Sequence, residues 1–360
     1  MATIRDIAEK LGVSVSTVSK GLNNGPDISE DLRRSILRTA VELGYSKRGT
    51  QRGDGRKFYI LVENMAYESE EDFGNGILVG FRTLAYRDQT RVTVVPVDHA
   101  FQQAHEYSAY ALEQGFAGAM ILGFSRDDPW MEQFEQTAIP TVLFDNYVRA
   151  NPHVSSVGTD CDEAMEEAVS HLAALGHEKI AFLNGSKGSL ISDQRMAAYL
   201  STMAAHHLPV NPHMAVYGYF VADAARYHVS TLLDLGATAI LCGNDLIASG
   251  VIEECTRLGY SVPGDVSVIG FDDIPLAARL DPPLTTIRQD TVEIGKCGYC
   301  ILAAMTEDVS FSRTMLRPEL IVRSSTALAK PRLSLRQTDE KDSVLYVNPE
   351  LYTQHLAQTM

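Results

Sequence analysis

The chain has 360 residues, 45% of them hydrophobic, which is enough for two or three domains with separate cores. No apolar run reaches the length of a membrane span, and no basic-then-apolar export signal is recognisable at the N-terminus, so we expect a cytoplasmic protein without a membrane partner. Residues 1–57 hold 11 Lys and Arg against 7 Asp and Glu, whereas the remainder holds 20 against 39. An acidic body repels phosphate, so only the N-terminal segment is suited to nucleic acid.

The first 23 residues predict two short helices joined by a tight turn. Thr3 and Asp6 form a capping pair, Gly12 allows a left-handed turn, and Ser14 caps the second helix. The same features could belong to a helical bundle without a DNA role, but together they favour a helix-turn-helix. The outward positions of the second helix are small or polar with one cation, which suits a major groove. They are Val15, Ser16, Ser19, Lys20 and Asn23.

A third helix is predicted from a Ser29 cap to Leu43, with acidic residues in its first turn. Its apolar residues complete a three-helix head. The following segment, 46–57, contains three glycines, five basic residues and no apolar residue. This composition is typical of a flexible cationic linker.

From Phe58 onward, short apolar runs alternate with helical patterns. Continuous apolar strands separated by helices indicate parallel sheets covered on both faces, so the fold class is α/β with two doubly wound lobes. The first predicted series of strands is 58–63, 91–97, 118–123 and 140–145, and the second is 179–185, 215–220, 238–243 and 265–272.

Polar and aromatic side chains follow several of these strands. Ligands of doubly wound folds bind beyond the carboxyl ends of the strands. Asp and Asn there also commonly cap the next helix, and Asp245 could do only that. Their convergence nevertheless suits a small polyhydroxylated ligand, with polar groups for its hydroxyls and aromatic faces for its C–H surfaces. The set comprises Asp145, Phe220, Asn244, Asp245, Asp272 and Asp273, with Arg195 at the start of a helix.

Catalytic and cofactor patterns are missing from the sequence. We find no Ser/His/Asp arrangement, metal-ligand spacing or phosphate loop, and residues 184–189 lack the P-loop spacing. Cys297 and Cys300 have C-x-x-C spacing inside a helical apolar pattern, which favours buried free thiols over redox or metal chemistry. We therefore predict no enzyme activity, cofactor or metal.

Five stretches, in this order, resemble the LacI/GalR (lactose and galactose repressor) family, and the resemblance covers residues 2–326. They are TIRDIAEKLGVSVSTVSKGLN (3–23), HLAALGHEKIAFLNG (171–185), SDQRMAAY (192–199), GNDLIASGVI (243–252) and GFDDIPLA with PPLTTIRQD (270–290).

The resemblance implies a homodimeric regulator with a periplasmic-binding-protein-like core, which binds double-stranded operator DNA at two half-sites and a small molecule between its lobes. It implies that Val15, Ser16 and Lys20 face base edges. The residues implied to meet phosphates are Thr3, Ser14, Thr17, Ser19 and Asn23. Those implied to bind the effector are Arg195, Asn244 and Asp272, together with Asp145, Phe220 and Phe73.

Domain boundaries follow from the same resemblance. We expect a head (1–46), an atypical hinge linker (47–57), sensor lobe 1 (58–157 with 284–311), sensor lobe 2 (158–283 with 312–326) and a tail (327–360).

The linker and the tail depart from the family pattern. The family's prolyl hinge helix and its leucine, which enters the minor groove, are missing from 46–54, so Arg48, Arg52 and Arg56 are candidates for contacts with DNA. Without a hinge helix, effector and DNA would be coupled through head spacing alone. Leucines of the tail keep no seven-residue period, which argues against a tetramer-forming coiled coil.

The sequence therefore predicts a repressor controlled by a small molecule, with a carbohydrate as the favoured effector and a purine or nucleoside as the alternative. Two other classes remain for comparison. A transport-type sugar receptor would need an export signal and no basic head, and an enzyme of sugar or nucleotide metabolism would need a catalytic constellation.

Overall fold

The computed structural model describes residues 2–23, 25–45 and 56–330. The predictions about a hinge helix and about the tail fall mainly on 46–55 and 331–360, outside these residues. The described chain divides into two compact units. Unit 1 lies within Met1–Gly158 and Thr291–Met315, and unit 2 lies within Thr159–Asp290 and Leu316–Met360.

The head, at the start of unit 1, consists of α1 (Ile4–Leu11), α2 (Val15–Leu22) and α3 (Glu30–Glu42). Thr3 caps α1 in a capping box with Asp6, as predicted. Gly12 ends α1 at φ 66°, a left-handed conformation that favours glycine. These caps fix where α1 stops and α2 begins, and so they set the turn between the two helices.

A small apolar core joins the three helices. Gly21 lies where α2 meets α3, and a Cβ added there would come 2.5 Å from Cδ1 of Ile36. The absence of a side chain at Gly21 therefore lets the two helices approach closely. The fully or nearly buried members of this core are Ile7, Ala8, Val18, Leu22, Ile36, Leu37 and Ala40.

The remainder of unit 1 up to Gly158 alternates strands and helices. Its elements are β1 (Lys57–Val62), α4 (Phe73–Arg87), β2 (Arg91–Pro96), α5 (His99–Ala104), α6 (Tyr107–Gln114), β3 (Gly118–Leu122), α7 (Pro129–Phe134), β4 (Thr141–Phe144) and β5 (Val154–Thr159).

Unit 2 repeats this alternation, and the chain then returns to unit 1 before ending in unit 2. The elements are α8 (Cys161–Ala174), β6 (Ile180–Ser186), α9 (Leu190–Ala205), β7 (Ala215–Gly218), α10 (Ala225–Asp234), β8 (Ala239–Cys242), α11 (Asp245–Arg257), β9 (Ser267–Asp272), α12 (Pro275–Arg279), β10 (Thr285–Arg288), α13 (Thr291–Met305), β11 (Arg313–Leu316) and β12 (Glu319–Ile321).

Each unit contains one six-stranded sheet among the described residues. The orders are β11-β5-β4-β3-β1-β2 and β12-β10-β9-β8-β6-β7. The pairs β1–β2, β1–β3, β6–β7 and β6–β8 are all parallel. Strand order therefore reverses at β1 and at β6, which gives each sheet a switch point where doubly wound folds bind ligands. The predicted α/β fold class is confirmed.

In unit 1, α13 packs against α4 with very close backbones. A Cβ on Gly80 would come 2.0 Å from the carbonyl oxygen of Val292, and one on Gly295 would come equally close to that of Ile77. Both positions therefore require glycine for the observed approach. This contact anchors the returning segment Thr291–Met315 to the first helix of the unit.

Two inner strands are absent from the sequence prediction. The sequence of β5, VSSVGT, has few large apolar residues, although all six of its residues are buried. β10 has only four residues and follows two prolines, so its apolar period is too short to recognise. Both strands pair in parallel with a neighbour, and these ladders supply a signal that local composition does not.

Candidate DNA-binding surface and effector site

Helix α2 presents a polar, exposed face. Val15 retains 45% of its surface exposed although it is apolar, and Ser16, Lys20 and Asn23 are also exposed. Ser19 is half-buried. A solvent-facing helix of small side chains and one cation, held by a packed core, has the form of a recognition helix.

Several hydroxyls predicted to meet phosphates also serve as helix caps. Thr3 Oγ1 accepts from Asp6 N at 3.3 Å, and Ser14 Oγ accepts from Thr17 N at 3.0 Å. The hydroxyls of Ser14 and Thr17 are 2.8 Å apart. Asn23 donates its side-chain amide to the carbonyl of Ser19 at 2.9 Å. Thus the structure assigns these groups a folding role, and a phosphate contact for them remains a prediction.

Lys20 forms an ion pair with Asp27, in the segment between α2 and α3, with Nζ 3.1 Å from Oδ2. Both side chains are exposed, so the pair itself adds little stability. The carboxylate nevertheless places a negative charge beside the cation of the predicted reading face, where it repels phosphate.

An Asp27→Asn variant is therefore expected to bind duplex DNA several-fold more tightly at low salt, because one repulsive charge is removed and Lys20 is released. Fluorescence anisotropy with a random-sequence duplex across a salt series measures this. Asp31→Asn is the matched control, since Asp31 is an exposed partner of Arg34 on α3. Equal or weaker binding by the Asp27 variant would contradict the expectation.

The carboxyl ends of β6 and β8 approach closely at the switch point of unit 2. A Cβ on Gly243 would come 2.7 Å from the backbone nitrogen of Gly185. Asn184, fully buried, donates to the carbonyl of Ser192 at 2.7 Å and accepts from Gly185 N at 2.8 Å. These contacts form a rigid floor at the edge where the sequence predicts the ligand.

Arg195 lies at this floor and is 3% exposed. Its Nη1 donates to the carbonyl of Gly243 at 2.6 Å, and its guanidinium lies 3.8 Å from the centre of the Phe271 ring. Its Nε has no hydrogen-bond partner among the described residues. A buried donor without a partner costs free energy unless a ligand satisfies it, so Arg195 is a strong candidate for a ligand contact.

Asp272 and Gln289 form the acceptor side of the same site. Gln289 donates from Nε2 to Asp272 Oδ1 at 2.7 Å, while its own Oε1 is buried and has no hydrogen-bond partner in the described chain. Burial raises the pKa of Asp272 to about 6, although the charge of Arg195 and the bond from Gln289 act in the opposite direction. The sequence analysis did not single out Gln289. Its position directly after β10 could have identified it.

Phe220 supplies an aromatic face. A Cβ on Gly185 would come 2.1 Å from Cζ of Phe220, so the ring lies directly over this backbone. Gly185 therefore lets the aromatic ring reach the floor of the site. Arg195, Phe220, Asp272 and Gln289 are linked through the ends of β6, β8, β9 and β10 in one unit.

Asn244 and Asp245 play different structural roles from those expected. Asn244 Oδ1 caps α11 by accepting from Ile247 N at 2.8 Å. Asp245, for which helix capping was the expected role, instead accepts from Thr286 Oγ1 at 2.6 Å and from Ile274 N at 2.9 Å. Asp245 thereby ties α11 to β10 and to the segment that follows Asp272. An effector contact by Asn244 remains a prediction.

The predicted effector residues of unit 1 also lie at strand and helix ends. Phe73 begins α4, and its ring is 5.9 Å from that of Phe144, the last residue of β4. Asp145 follows with φ 52°, and its Oδ1 lies 2.7 Å from where a Cβ on Gly158 would stand. The structure thus brings Phe73 and Asp145 to the edge containing the β4 terminus.

The predicted burial of the two C-x-x-C thiols is wrong for Cys300, which is exposed, and Cys297 is only partly buried. The buried face of α13 is instead formed by residues such as Ile294, Gly298 and Leu302. No group of three or more potential metal-ligating side chains occurs among the residues that the structure describes. None of the described helices is both long enough and apolar enough to span a bilayer.

Residues 3–47 match the profile of bacterial regulatory proteins of the lacI family, and residues 169–326 match a periplasmic binding protein-like domain. The head is a LacI-family DNA-binding domain. The resemblance inferred from the sequence is confirmed, and the second match covers most of unit 2, including every residue of the Arg195 site.

Similarity to known regulators extends along most of the chain. It is 29% identical over 334 residues to the HTH-type transcriptional repressor CytR of Escherichia coli (strain K12), covering 90% of this chain and 96% of CytR. Its fold matches that of the regulator CelR in complex with cellobiose, with TM-score 0.68 and 24% identity over 90% of this chain and 100% of CelR. It also matches a Lac repressor dimer bound to operator and the anti-inducer ONPF, with TM-score 0.64 and 24% identity over 91% of this chain and 99% of that one.

Proposed function

We propose that this LacI-family chain is a sequence-specific repressor of transcription whose operator affinity is set by a small molecule. The exposed face of α2 on a LacI-family head carries the DNA-binding half of the proposal. Its effector half is carried by one observation: Arg195 and Gln289 bury polar atoms without partners at the switch point of a periplasmic-binding-protein-like unit.

A carbohydrate suits this site best. Arg195 and Gln289 offer donors, Asp272 and the Gln289 carbonyl offer acceptors, and Phe220 and Phe271 offer flat apolar faces. Sugar hydroxyls both donate and accept hydrogen bonds, and sugar C–H surfaces pack on aromatic rings. A purine or nucleoside is the alternative effector, because amide and guanidinium groups also read the edges of bases.

The working form is proposed to be a homodimer that binds two half-sites. In unit 2, Tyr219, Val221, Tyr227 and Leu246 expose apolar or aromatic surface, with Tyr227 81% exposed. In unit 1, Val79 and Tyr86 do the same on α4. Exposed apolar groups of this kind commonly mark protein interfaces. Sedimentation equilibrium tests the proposal, which predicts a mass twice that of the chain.

Two ligand-independent experiments test the function as a whole. Selection of duplexes from a random pool by the purified protein should yield sites with two related halves. Thermal-shift screening against sugars and nucleosides should identify a compound that raises the melting temperature by mass action. Failure to enrich any duplex at low ionic strength would rule out the repressor, whereas stabilisation by nucleosides alone would select the alternative effector.

The pKa of Asp272 predicts how effector binding depends on pH. Ionised Asp272 accepts hydroxyl hydrogen bonds, so affinity for the stabilising sugar should fall as pH drops below about 6, by roughly tenfold at pH 5. The same raised pKa means that this group's contribution to folding stability is present at low pH and is lost as pH rises through 6. Calorimetric titration at pH 5 and 7.5 measures the affinity. An Asp272→Asn variant should bind more weakly with no such pH step, and equal affinities for the unmodified protein would contradict the assignment.

We propose further that the protein acts in the cytoplasm, where its DNA target is, and that it does not turn over its effector. The family relationship to transcriptional repressors supports both statements. Incubation of the purified protein with the stabilising compound, followed by mass spectrometry, tests the second, and a chemically changed product would contradict it.

A further inference from the structure

Helix α6 of unit 1 has two packed faces with different partners. Tyr107 and Ala111, one turn apart, belong to the apolar core of the unit, together with residues of β3 and α7. Ala109 and Leu112 lie on another side of the helix and belong instead to the apolar cluster of the head. Leu112 is 3% exposed.

The head contributes α3 to this contact. α3 packs against α6, and Leu37 and Val41 of α3 are members of the same cluster as Leu112. Leu112 therefore extends the core of the head into the body of unit 1. An isolated leucine on the outer side of α6 would otherwise stand in water, so its burial favours the docked arrangement.

Docking leaves the predicted reading face open. Val15, Ser16 and Lys20 on α2 are exposed in the docked head. The α6 contact thus holds the head through α3 while α2 remains available to DNA. The contact is not an occlusion of the reading face, and it gives α2 one direction relative to the strands of unit 1.

We propose that the face of α6 formed by Ala109 and Leu112 is a docking surface for the head, and that it determines which half-site spacing the dimer accepts. The inference rests on the proposed two-half-site function. The sequence of the linker has no hinge-helix pattern, so orientation of the head needs another source, and an apolar contact on a rigid helix supplies one. Because half-sites repeat on the helical period of DNA, a head with a fixed direction selects spacing sharply, whereas a freely tethered head does not.

The test uses the full-length dimer and the duplex that it selects from a random pool, with 0 to 5 base pairs inserted between the half-sites. For the unmodified protein, we expect affinity to fall at least tenfold for the unfavourable insertions. For Leu112→Glu, which places a charge in the apolar contact, we expect lower affinity for the selected duplex and a profile that varies less than threefold with spacing. Gln114→Glu adds the same charge at an exposed position of α6 and should retain the sharp profile.

A milder variant, Leu112→Ala, covers the case in which glutamate disturbs the fold, and it should flatten the profile partially. Circular dichroism and melting of each variant verify folding. An unchanged spacing profile in both folded Leu112 variants would overturn the proposal, as would a rise in affinity at every spacing, since that would make the contact inhibitory.

Hydrogen exchange without DNA separates this inference from the proposed function. Exchange of the amides of α6 and α3 should increase in Leu112→Glu and not in Gln114→Glu. If no duplex is selected but exchange behaves this way, docking stands and the repressor assignment fails. If duplexes are selected but exchange and spacing are unaffected by the Leu112 variants, docking fails alone.

Discussion

An Arg195→Ala variant is expected to lose the response to effector while keeping operator affinity within about twofold of the unmodified protein. Arg195 is the buried cation of the site in unit 2, and its Nε has no partner among the described residues. Its removal deletes a charged donor to the ligand, a loss on the order of 2–5 kcal/mol for a buried hydrogen-bonded charge, or roughly thirtyfold or more in affinity. It also removes the cation that favours ionised Asp272. Operator titration with and without the stabilising sugar measures the response.

The control for Arg195 is Lys179→Ala. Lys179 is an exposed cation of the same unit that immediately precedes β6, at the end of the strand opposite to the site. This variant should respond like the unmodified protein. An Arg195→Ala protein that stays folded and fully responsive would remove the effector site from unit 2.

A Lys20→Ala variant is expected to lose base specificity more than it loses general DNA affinity. Lys20 is exposed on α2, where a cation in the major groove pairs with guanine. Loss of such a contact costs about 1–3 kcal/mol at the base concerned, whereas loss of a phosphate contact weakens all sequences alike and reduces the salt slope by about one. Affinities for a panel of single-base variants of the selected duplex distinguish these results.

Lys10→Ala is the matched control for Lys20. Lys10 is a cation on α1 whose Nζ is 2.8 Å from Glu42 Oε2, in the same head but outside the reading face. It should leave the ranking of the duplex panel unchanged. If Lys20→Ala weakened every duplex equally, Lys20 would be a phosphate contact and the assignment to base edges would be wrong.

Local signals in the sequence predict the head well. Thr3, Ser14 and Ser29 all cap helices at the positions expected, because side-chain capping depends on a few neighbouring residues. The eight predicted strands of the two lobes are also present with small shifts at their ends, since buried parallel strands have continuous apolar runs.

Features that depend on distant contacts are harder to predict. Gln289 joins the site only because β10 lies beside β9 and brings it to Asp272. Asp245 was expected to cap a helix, as its position suggests, but Thr286, 41 residues later, determines its actual bonding. The role of Leu112 likewise requires knowledge of where the head docks, which no helical period on α6 reveals.

The most direct test of the account measures coupling between the head and unit 2 in both directions. We predict that saturating amounts of the stabilising sugar change operator affinity by about 5- to 150-fold, and that operator changes sugar affinity by the same factor, as linkage requires. Titrations of the full-length dimer with each ligand, in the presence and absence of the other, provide both factors. Two ligands that bind the folded dimer with no effect on each other would contradict the account, since DNA binding and ligand binding would then be independent activities.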